Sequence, residues 1–333
     1  MINIAELQQA VDEELKAGLL QSIEPGLEVY YEMFSYQFGW EKAVSLGKGK
    51  RIRPLTTLLA AHAVGGDWRK ALPAGAALEI MHNFSLIHDD IQDKSYTRRG
   101  KETIWVKWGE ALAINGGDAL LAYSLLQPMR MARNCSAECI ATIQNWLSAA
   151  CIQLTKGQFL DIHFENDQSV SMKMYFEMIG GKTCALLQTA MKMGAFIGGA
   201  DATTVAKFDQ VGLLLGQAFQ VQDDWLGIWG DDALLGKSTA SDLIDRKKSY
   251  PILLGLSRKS EFAGLWKSHG VIDAESVPQF VKALENDGVK QETETAMNEL
   301  YQQTFLALKS TGCEEERVTP LRELMQGLIS RSV

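Results

Sequence analysis

Apolar positions along this chain recur with helical spacing, and alternating runs of β-branched and aromatic residues bounded by turn residues are hard to find. The stretch between Pro128 and Pro251 contains no proline and is rich in Ala, Leu, Met, Gln and Lys, which favour helices. The pattern predicts an all-α protein. The predicted helices are 3–21, 26–44, 52–64, 71–95, 110–131, 136–163, 172–199, 204–230, 240–256, 273–286, 289–309 and 317–331.

Two of the predicted helices carry almost no charge. Between Ala71 and Ile87 the only formal charge is Glu79, and residues 210–222 carry none. A helix that is apolar all round is buried rather than amphipathic. Each of these two helices runs directly into an acidic cluster, 88–93 after the first and Asp223-Asp224 after the second.

The composition is that of an ordinary globular protein: 333 residues, 46% of them apolar and 22% charged. It excludes a disordered or collagen-like chain. No linker rich in Pro, Gly or Ser separates two halves, so we expect one all-helical domain over 1–333. Its motifs lie in 47–251, and the helices of 252–333 complete the bundle.

Charge and targeting signals narrow the function classes further. A net charge of −8 argues against a general nucleic-acid binder. The five cysteines form no CxxC pair, and neither a secretory signal nor an apolar run of membrane-spanning length is visible. The sequence therefore indicates a cytoplasmic protein with no transmembrane segment.

The first acidic cluster has the spacing of a metal site. Asp89 and Asp93 are four residues apart, so they lie on one helix face, where two like charges repel. Carboxylates are also unfavourable near a helix C-terminus or beside a buried core unless they are paired. Mg²⁺ prefers carboxylate and phosphate oxygens and would turn the repulsion into attraction. One such cluster is more often a solvated face, and the second cluster at Asp223 is what favours a metal site in a helical bundle.

Basic residues are clustered as well. Four cations lie between Lys48 and Arg53, Arg98-Arg99-Gly100-Lys101 follows the first acidic cluster, and 246–248 reads Arg-Lys-Lys. Arginine binds phosphate through paired hydrogen bonds, and lysine acts as a point charge. Each run alone is commonly a solvated patch. Together with the acidic clusters, they indicate a diphosphate held by metal ions on one side and by cations on the other.

Several ordered motifs between about Gly47 and Pro251 resemble those of the trans-isoprenyl diphosphate synthases, the polyprenyl synthetase family. The motifs are GKRIRP at 49–54, HNFSLIHDDIQD at 82–93, RRG at 98–100, GQFLD at 157–161, GGKT at 180–183, and FQVQDD at 219–224 with GK and KKS behind it. The resemblance implies an isoprenoid-synthase fold, a single-domain helical bundle around a deep central cavity, and a homodimer.

The resemblance also implies an activity. It is a Mg²⁺-dependent prenyl transfer that joins isopentenyl diphosphate head-to-tail to an allylic diphosphate (C5–C15) through an allylic carbocation. The implied cofactor is magnesium, about three ions with substrate bound. The implied metal ligands are Asp89, Asp90, Asp93, Asp223 and Asp224, with Asp90 and Asp224 acting either directly or through the other ligands.

The remaining site residues are carried over from the family's motifs. The residues implied for isopentenyl diphosphate are Lys50, Arg53, His82 and Arg99. The cations implied for the allylic diphosphate are Arg98, Lys182, Lys237 and Lys247. Thr183 and Gln220 would offer oxygen dipoles to the carbocation. The implied catalytic set is therefore Asp89, Asp93, Asp223, Lys182, Thr183, Gln220 and Lys237.

Product length should depend on the residues that precede the first acidic cluster. Phe84 lies five residues before Asp89, about 7.5 Å along a helix axis, and the next residue, Ser85, is small. Met81 lies further along the same face. A single aromatic residue in this region resembles geranylgeranyl (C20) diphosphate synthases, and farnesyl (C15) diphosphate synthase is the close alternative.

The second acidic cluster departs from the family's usual DDxxD, because Gly227 stands where the third acid would be. We expect Asp223 to carry the metal and the third acid to be dispensable; the alternative is weakened metal binding.

Two other functions remain open. A class I terpene cyclase also ionises an allylic diphosphate but needs no second diphosphate site such as Lys50, Arg53 and His82. A non-catalytic subunit of a heteromeric prenyl synthase commonly lacks the acidic motifs, one of which is intact here.

Overall fold

The computed structural model describes residues 2–20, 24–40, 49–165, 167–230 and 241–329. These residues form helices and a short two-stranded hairpin, which confirms the all-α prediction. The chain divides into two compact units. The first comprises residues up to Cys151, Thr189–Ala206 and Cys313–Leu321, and the second comprises Ile152–Gln188, Lys207–Gly312 and the residues from Arg322 on. The single domain and its central cavity stay predictions.

The helices are, in chain order, α1 (Ile4–Leu19), α2 (Glu28–Phe38), α3 (Ile52–Ala63), α4 (Leu72–Gln92), α5 (Ile104–Trp108), α6 (Glu110–Leu126), α7 (Ala137–Phe164), α8 (Met172–Ile179), α9 (Ala185–Ile197), α10 (Ala202–Trp229), α11 (Ser241–Ile244), α12 (Tyr250–Leu256), α13 (Glu261–Ser268), α14 (Val277–Asn286), α15 (Val289–Ser310) and α16 (Glu315–Ile329). Turns of 3₁₀ helix occupy Trp68–Ala71 and Gln127–Arg133, and the hairpin consists of β1 (Thr97–Arg98) and β2 (Lys101–Glu102). Among these described helices, none has both the length and the apolar character required to cross a membrane.

Helix α4 is a largely buried helix of the first unit. It packs against α1, α3 and α6, and Ala74, Ile80 and Met81 have no exposed surface. Its close approach to α3 depends on Gly75, because a Cβ atom there would lie 3.2 Å from Pro54. The apolar run is therefore buried, as its composition predicts, and it holds the first acidic cluster at its C-terminal end.

The core of the second unit lies in its C-terminal helices. Phe262 of α13 and Phe280 of α14 meet edge to face, with ring centroids 6.2 Å apart, and neither ring is exposed. Leu243 of α11 and Ile252 of α12 pack into the same cluster. This core also contains Ile228 of α10, four residues after Asp224. Helix α13 itself is absent from the sequence prediction.

Two predicted helices are interrupted. The prediction at 172–199 contains a π-helix, Gly180–Cys184, between α8 and α9; such segments often mark functional sites. The prediction at 240–256 breaks at Arg246, whose φ of 52° is left-handed. Helix α12 then begins anew with Pro251 in its first turn, where proline is favoured.

Candidate active site

The C-terminal turn of α4 carries the first pair of predicted metal ligands. Asp89 is half-buried and Asp93 is exposed. The N–H of Asp93 donates to the carbonyl of Asp89 over 2.8 Å, so both carboxylates belong to the last helical turn, where the helix dipole disfavours negative charge. A divalent cation would relieve this unfavourable charge, and the oxygen donors suit Mg²⁺.

No complete metal cage of three or more His, Cys, Asp or Glu side chains lies within the described part of the chain. Mg²⁺ is usually held by one or two carboxylates together with substrate phosphates and water. The Asp89–Asp93 pair offers donors of this kind, so the residues present fit the ion.

Asp90 lies on the buried side of the same turn and is only 3% exposed. The guanidinium of Arg98 donates to it from Nε, 2.8 Å from Oδ1 and 3.0 Å from Oδ2, and its Nη2 lies 2.8 Å from Oδ1. Asp90 was expected either to bind the metal directly or to act through the other ligands. Its bidentate pair with Arg98 favours the second role. The pair positions Arg98, whose contact with phosphate stays a prediction.

Arg99 lies at the tip of the β1–β2 hairpin, which the sequence did not predict. Arg99 and Gly100 have φ angles of 53° and 74°, as in the tight turns that join two antiparallel strands. Arginine is an unusual residue there, which explains why the hairpin was missed. A Cβ atom at Gly49 would lie 2.8 Å from Nη1 of Arg99, so the segment that carries Lys50 reaches this turn.

His82 lies seven residues before Asp89 on α4, about 10 Å along the helix axis. Its pKa lies well below the ordinary 6.5, first because burial disfavours the charged imidazolium, and then because positive charges surround it. The charges that add to this effect belong to Arg53, Arg99, Arg98 and Arg51. A neutral imidazole among arginines marks an electropositive region that suits an anionic substrate.

Substituting His82 by glutamine should reduce the sensitivity of folding to acid. The pKa of His82 in the folded protein lies below the 6.5 of the unfolded chain, so below about pH 6.5 the unfolded chain binds more protons than the folded protein does. The stability that neutral His82 contributes above pH 6.5 is therefore lost as the pH falls. We expect the free energy of unfolding to fall by about 1 kcal/mol less between pH 7.5 and 5.5 in His82→Gln than in the unsubstituted protein. Urea titrations measure this difference. His163→Gln, at an exposed position, is the control, and equal losses in the two proteins would contradict the expectation.

Arg51 belongs to a buried ion pair that the sequence did not reveal. It precedes α3 with a φ of 52°, and its Nη1 donates to Oε1 of Glu79 over 2.9 Å. Its Nε donates to Asp12 over 3.1 Å and its Nη2 to the carbonyl of Phe38 over 2.9 Å. Arg51 and Glu79 are 4% and 3% exposed. The single charge in the apolar run of α4 is therefore the partner of Arg51, and that isolated charge was the available signal.

Lys182 lies in the π-helix of the second unit. A Cβ atom at Gly157 of α7 would lie 2.1 Å from the backbone nitrogen of Lys182, so only glycine allows this approach. The Nζ of Lys182 donates to the carboxylate of Asp161, and both side chains are partly exposed. Asp161, which follows Gly157 by one helical turn, therefore positions Lys182.

Asp224 holds a buried polar network. Its Oδ2 accepts from the hydroxyl of Tyr175 over 2.7 Å and from the N–H of Tyr250 over 2.8 Å. Its Oδ1 accepts from Nε2 of Gln220 over 2.8 Å, and Oε1 of Gln220 accepts from the hydroxyl of Thr183. Burial raises the pKa of Asp224, and its hydrogen bonds oppose that effect. Three donors to one buried carboxylate favour a positioning role. Tyr175 and Tyr250 were not expected at this site, because neither lies in one of the sequence motifs.

Asp223 is exposed on α10, beside the buried Asp224. Lys247 is half-buried, and Lys50 is exposed. Lys237 lies outside the described residues. That Asp223 shares magnesium with the carboxylates of α4 stays a prediction.

The predicted chain-length residues lie on α4 in the first unit. Phe84 is 5% exposed, and its ring meets His88 edge-on with the ring centroids 5.6 Å apart. Met81 is fully buried, and the hydroxyl of Ser85 donates to the backbone one turn earlier. Gly117 leaves room for His88, because a Cβ atom there would lie 2.2 Å from its Nε2.

Comparison with known proteins gives consistent results. A sequence model described as polyprenyl synthetase matches residues 41–285. A geranylgeranyl diphosphate synthase of Mycobacterium tuberculosis is 38% identical over 268 residues, which cover 78% of this chain and 75% of that protein. A (2E,6E)-farnesyl diphosphate synthase of the same organism is 37% identical over 222 residues, 66% of this chain and 61% of that protein. The crystal structure of a geranylgeranyl pyrophosphate synthetase from Pyrococcus horikoshii aligns with a TM-score of 0.86 and 29% identity over 98% of this chain and 96% of that chain.

Proposed function

Because this chain belongs to the polyprenyl synthetase family, whose members are trans-prenyltransferases, we propose that it condenses isopentenyl diphosphate head-to-tail with an allylic diphosphate of C5–C15. The observation that carries the proposal is the last turn of α4, where Asp89 and Asp93 lie beside the bidentate pair of Asp90 and Arg98. Cations beside metal-binding carboxylates suit two diphosphates held near each other.

Magnesium is the proposed cofactor, and Asp89, Asp93 and Asp223 are its proposed ligands. When bound, the ion makes diphosphate a better leaving group. Lys182 and Arg98 add positive charge where negative charge develops on that group. Asp161 holds Lys182, and Asp90 holds Arg98.

The proposed reaction begins when the C–O bond of the allylic substrate breaks and its electron pair leaves with diphosphate. The oxygens of Thr183 and Gln220, ordered through Asp224, offer dipoles to the allylic cation. The double bond of isopentenyl diphosphate, held by Arg53, Arg99 and Lys50, then attacks the cation. A proton leaves the new cation for the departing diphosphate, so the reaction needs no side-chain base.

Geranylgeranyl diphosphate is the proposed product, and farnesyl diphosphate is the second candidate. Relatives named for both products are about equally similar to this chain, at 38% and 37% identity. The buried ring of Phe84, one to two turns before Asp89, supports a medium chain length.

Phe84→Ala should lengthen the product by at least one C5 unit, because it removes the ring that we propose as the floor for the growing chain. Mass spectrometry of the products measures the change. Phe262→Ala, which removes an aromatic side chain from the core of the second unit, is the control for general destabilisation. An unchanged product distribution in Phe84→Ala would refute the role of Phe84.

Turnover by the purified protein alone tests the proposed function. The protein is incubated with Mg²⁺, isopentenyl diphosphate and each allylic starter (C5, C10, C15), and the products are weighed. We expect a C20 diphosphate from every starter. A C15 end product would favour farnesyl diphosphate synthase, a hydrocarbon formed without isopentenyl diphosphate would favour a terpene cyclase, and no turnover would favour a non-catalytic subunit.

A cytoplasmic homodimer is part of the same proposal. Helix α6 exposes Leu112 and Ile114 by 48% and 42%, and apolar surface of this kind suits contact with a second copy. All five cysteines are free thiols, which agrees with a reducing compartment. The acidic net charge disfavours a nucleic-acid partner.

A further inference from the structure

Tyr175 of α8 is a buried tyrosine at the start of a chain of hydrogen bonds that ends at Thr183. It is 1% exposed, and its hydroxyl donates over 2.7 Å to Oδ2 of Asp224. Asp224 accepts from Gln220, which in turn accepts from Thr183. We propose that Tyr175 is a positioning residue for the reaction, which fixes the direction of these hydrogen bonds so that the oxygen of Thr183 presents lone pairs to the allylic cation. This inference rests on the proposed function.

The direction of each hydrogen bond follows from the carboxylate of Asp224. An ionised carboxylate only accepts hydrogen bonds, so the atom of Gln220 that lies 2.8 Å from Oδ1 has to be the amide nitrogen Nε2. The amide oxygen of Gln220 then faces Thr183, and because that oxygen only accepts, the hydroxyl of Thr183 has to donate to it. With its one proton engaged, the Thr183 oxygen offers lone pairs to its other neighbours, and lone pairs stabilise a positive charge. In a reversed chain, the hydroxyl proton of Thr183 would be free to point at the cation.

Two donors on one oxygen hold the carboxylate of Asp224 in the required orientation. The hydroxyl of Tyr175 and the N–H of Tyr250 both donate to Oδ2, over 2.7 and 2.8 Å, which leaves Oδ1 turned toward Gln220. The rings of Tyr175 and Tyr250 meet edge to face with their centroids 5.9 Å apart, so α8 and α12 hold both donors at this carboxylate. Without the hydroxyl of Tyr175, Oδ2 loses its side-chain donor. The carboxylate is then held less firmly toward Gln220, and the direction of the chain is no longer fixed.

Steady-state kinetics of Tyr175→Phe test the inference, because this substitution removes the hydroxyl and keeps the ring. With isopentenyl diphosphate, a C15 starter and Mg²⁺, we expect kcat to fall about 10-fold and the KM of both diphosphates to stay within about 2-fold. The Mg²⁺ concentration that gives half the maximal rate should also stay within about 2-fold, because the proposed ligands of the ion are unchanged.

Tyr301→Phe is the matched control for the loss of a buried hydroxyl. Tyr301 is 2% exposed, and its hydroxyl also donates to a side chain of α10, that of Gln222. Each of the two variants therefore loses one buried hydrogen bond to the same helix, and urea unfolding compares their stabilities. We expect Tyr301→Phe to keep the normal kcat.

A double-mutant cycle shows whether Tyr175 acts through Thr183. Thr183→Val keeps the size of the side chain but removes its oxygen, and it should lower kcat about 10²-fold. In the Thr183→Val background there is no oxygen left to orient, so Tyr175→Phe should cost less than about 2-fold. Two independent effects would instead multiply to about 10³-fold.

A second variant leaves Tyr175 in place and breaks the same chain at Gln220. Gln220→Met has a similar length but no amide, so Thr183 loses the oxygen that accepts its proton. We expect kcat to fall at least about 10-fold with the KM of both diphosphates nearly unchanged, the same pattern as in Tyr175→Phe. A normal kcat in Gln220→Met would contradict the inference.

The remaining outcomes separate this inference from the proposed function. A normal kcat in Tyr175→Phe, an equal loss of kcat in Tyr301→Phe, or multiplying effects in the double variant would overturn the inference and leave the proposed function standing. An altered Mg²⁺ requirement in Tyr175→Phe would also overturn it, because Asp224 would then act on the ion. An unsubstituted protein without turnover would count against the proposed function and overturn the inference as well.

Discussion

Asp89→Asn should lower kcat/KM about 10³-fold while leaving the protein folded, because it removes a charge that we propose binds magnesium during departure of diphosphate. Asp89 is half-buried at the end of α4, and asparagine has the same size and stays polar there. Steady-state kinetics with isopentenyl diphosphate and a C15 starter measures the first effect. Urea unfolding measures the second.

Asp90→Asn is the matched comparison, because the same atoms change one residue away. Asp90 is buried and paired with Arg98, so its neutralisation should lower the free energy of unfolding by about 3 kcal/mol. The Asp89→Asn variant should thus lose mainly turnover, whereas the Asp90→Asn variant should also lose stability. More than a tenth of the normal kcat/KM in Asp89→Asn would contradict its role as a ligand.

Arg51→Ala should destabilise the fold by about 3–5 kcal/mol, because it leaves the carboxylate of Glu79 buried without its ionic partner. The substitution also removes the donors to Asp12 and to the carbonyl of Phe38. Denaturant unfolding measures the loss.

Two further variants show whether the buried pair is the cause. Arg51→Met combined with Glu79→Leu should be less destabilised than Arg51→Ala, since no lone charge remains in the core. Lys173→Ala, which breaks an exposed pair with Glu177, should change little. A loss below about 1 kcal/mol in Arg51→Ala would show that the pair does not hold α3 to α4.

The sequence predicted the helices well where apolar spacing is strong. Helices α7 and α10 begin and end within two residues of their predicted bounds. Helix α4 begins one residue after its predicted start and ends three residues before its predicted end. Helix boundaries failed where backbone geometry departs from ordinary winding, at the π-helix and at Arg246. The hairpin was missed because Arg99 stands before Gly100, where Asn, Asp or Gly usually precedes the glycine of such a turn.

The candidate site was harder to predict in detail because neighbouring residues of the same type face different ways. In GKRIRP, Arg51 and Arg53 look alike, but only Arg51 meets Glu79, a partner 28 residues away. Asp223 and Asp224 are consecutive on α10, and a rotation of about 100° separates an exposed carboxylate from a buried one. Motif recognition finds such clusters, but tertiary partners decide the role of each member.

The wider winding at Gly180–Cys184 makes the number of residues as important there as their identity. A π-turn closes with i→i+5 hydrogen bonds and holds more residues than an α-turn, so deleting one residue from this segment would tighten it into an α-turn. Thr183 would then be displaced relative to Gln220, whose side-chain oxygen accepts its hydrogen bond. Lineages that keep this enzyme should therefore neither lose nor gain a residue in this segment.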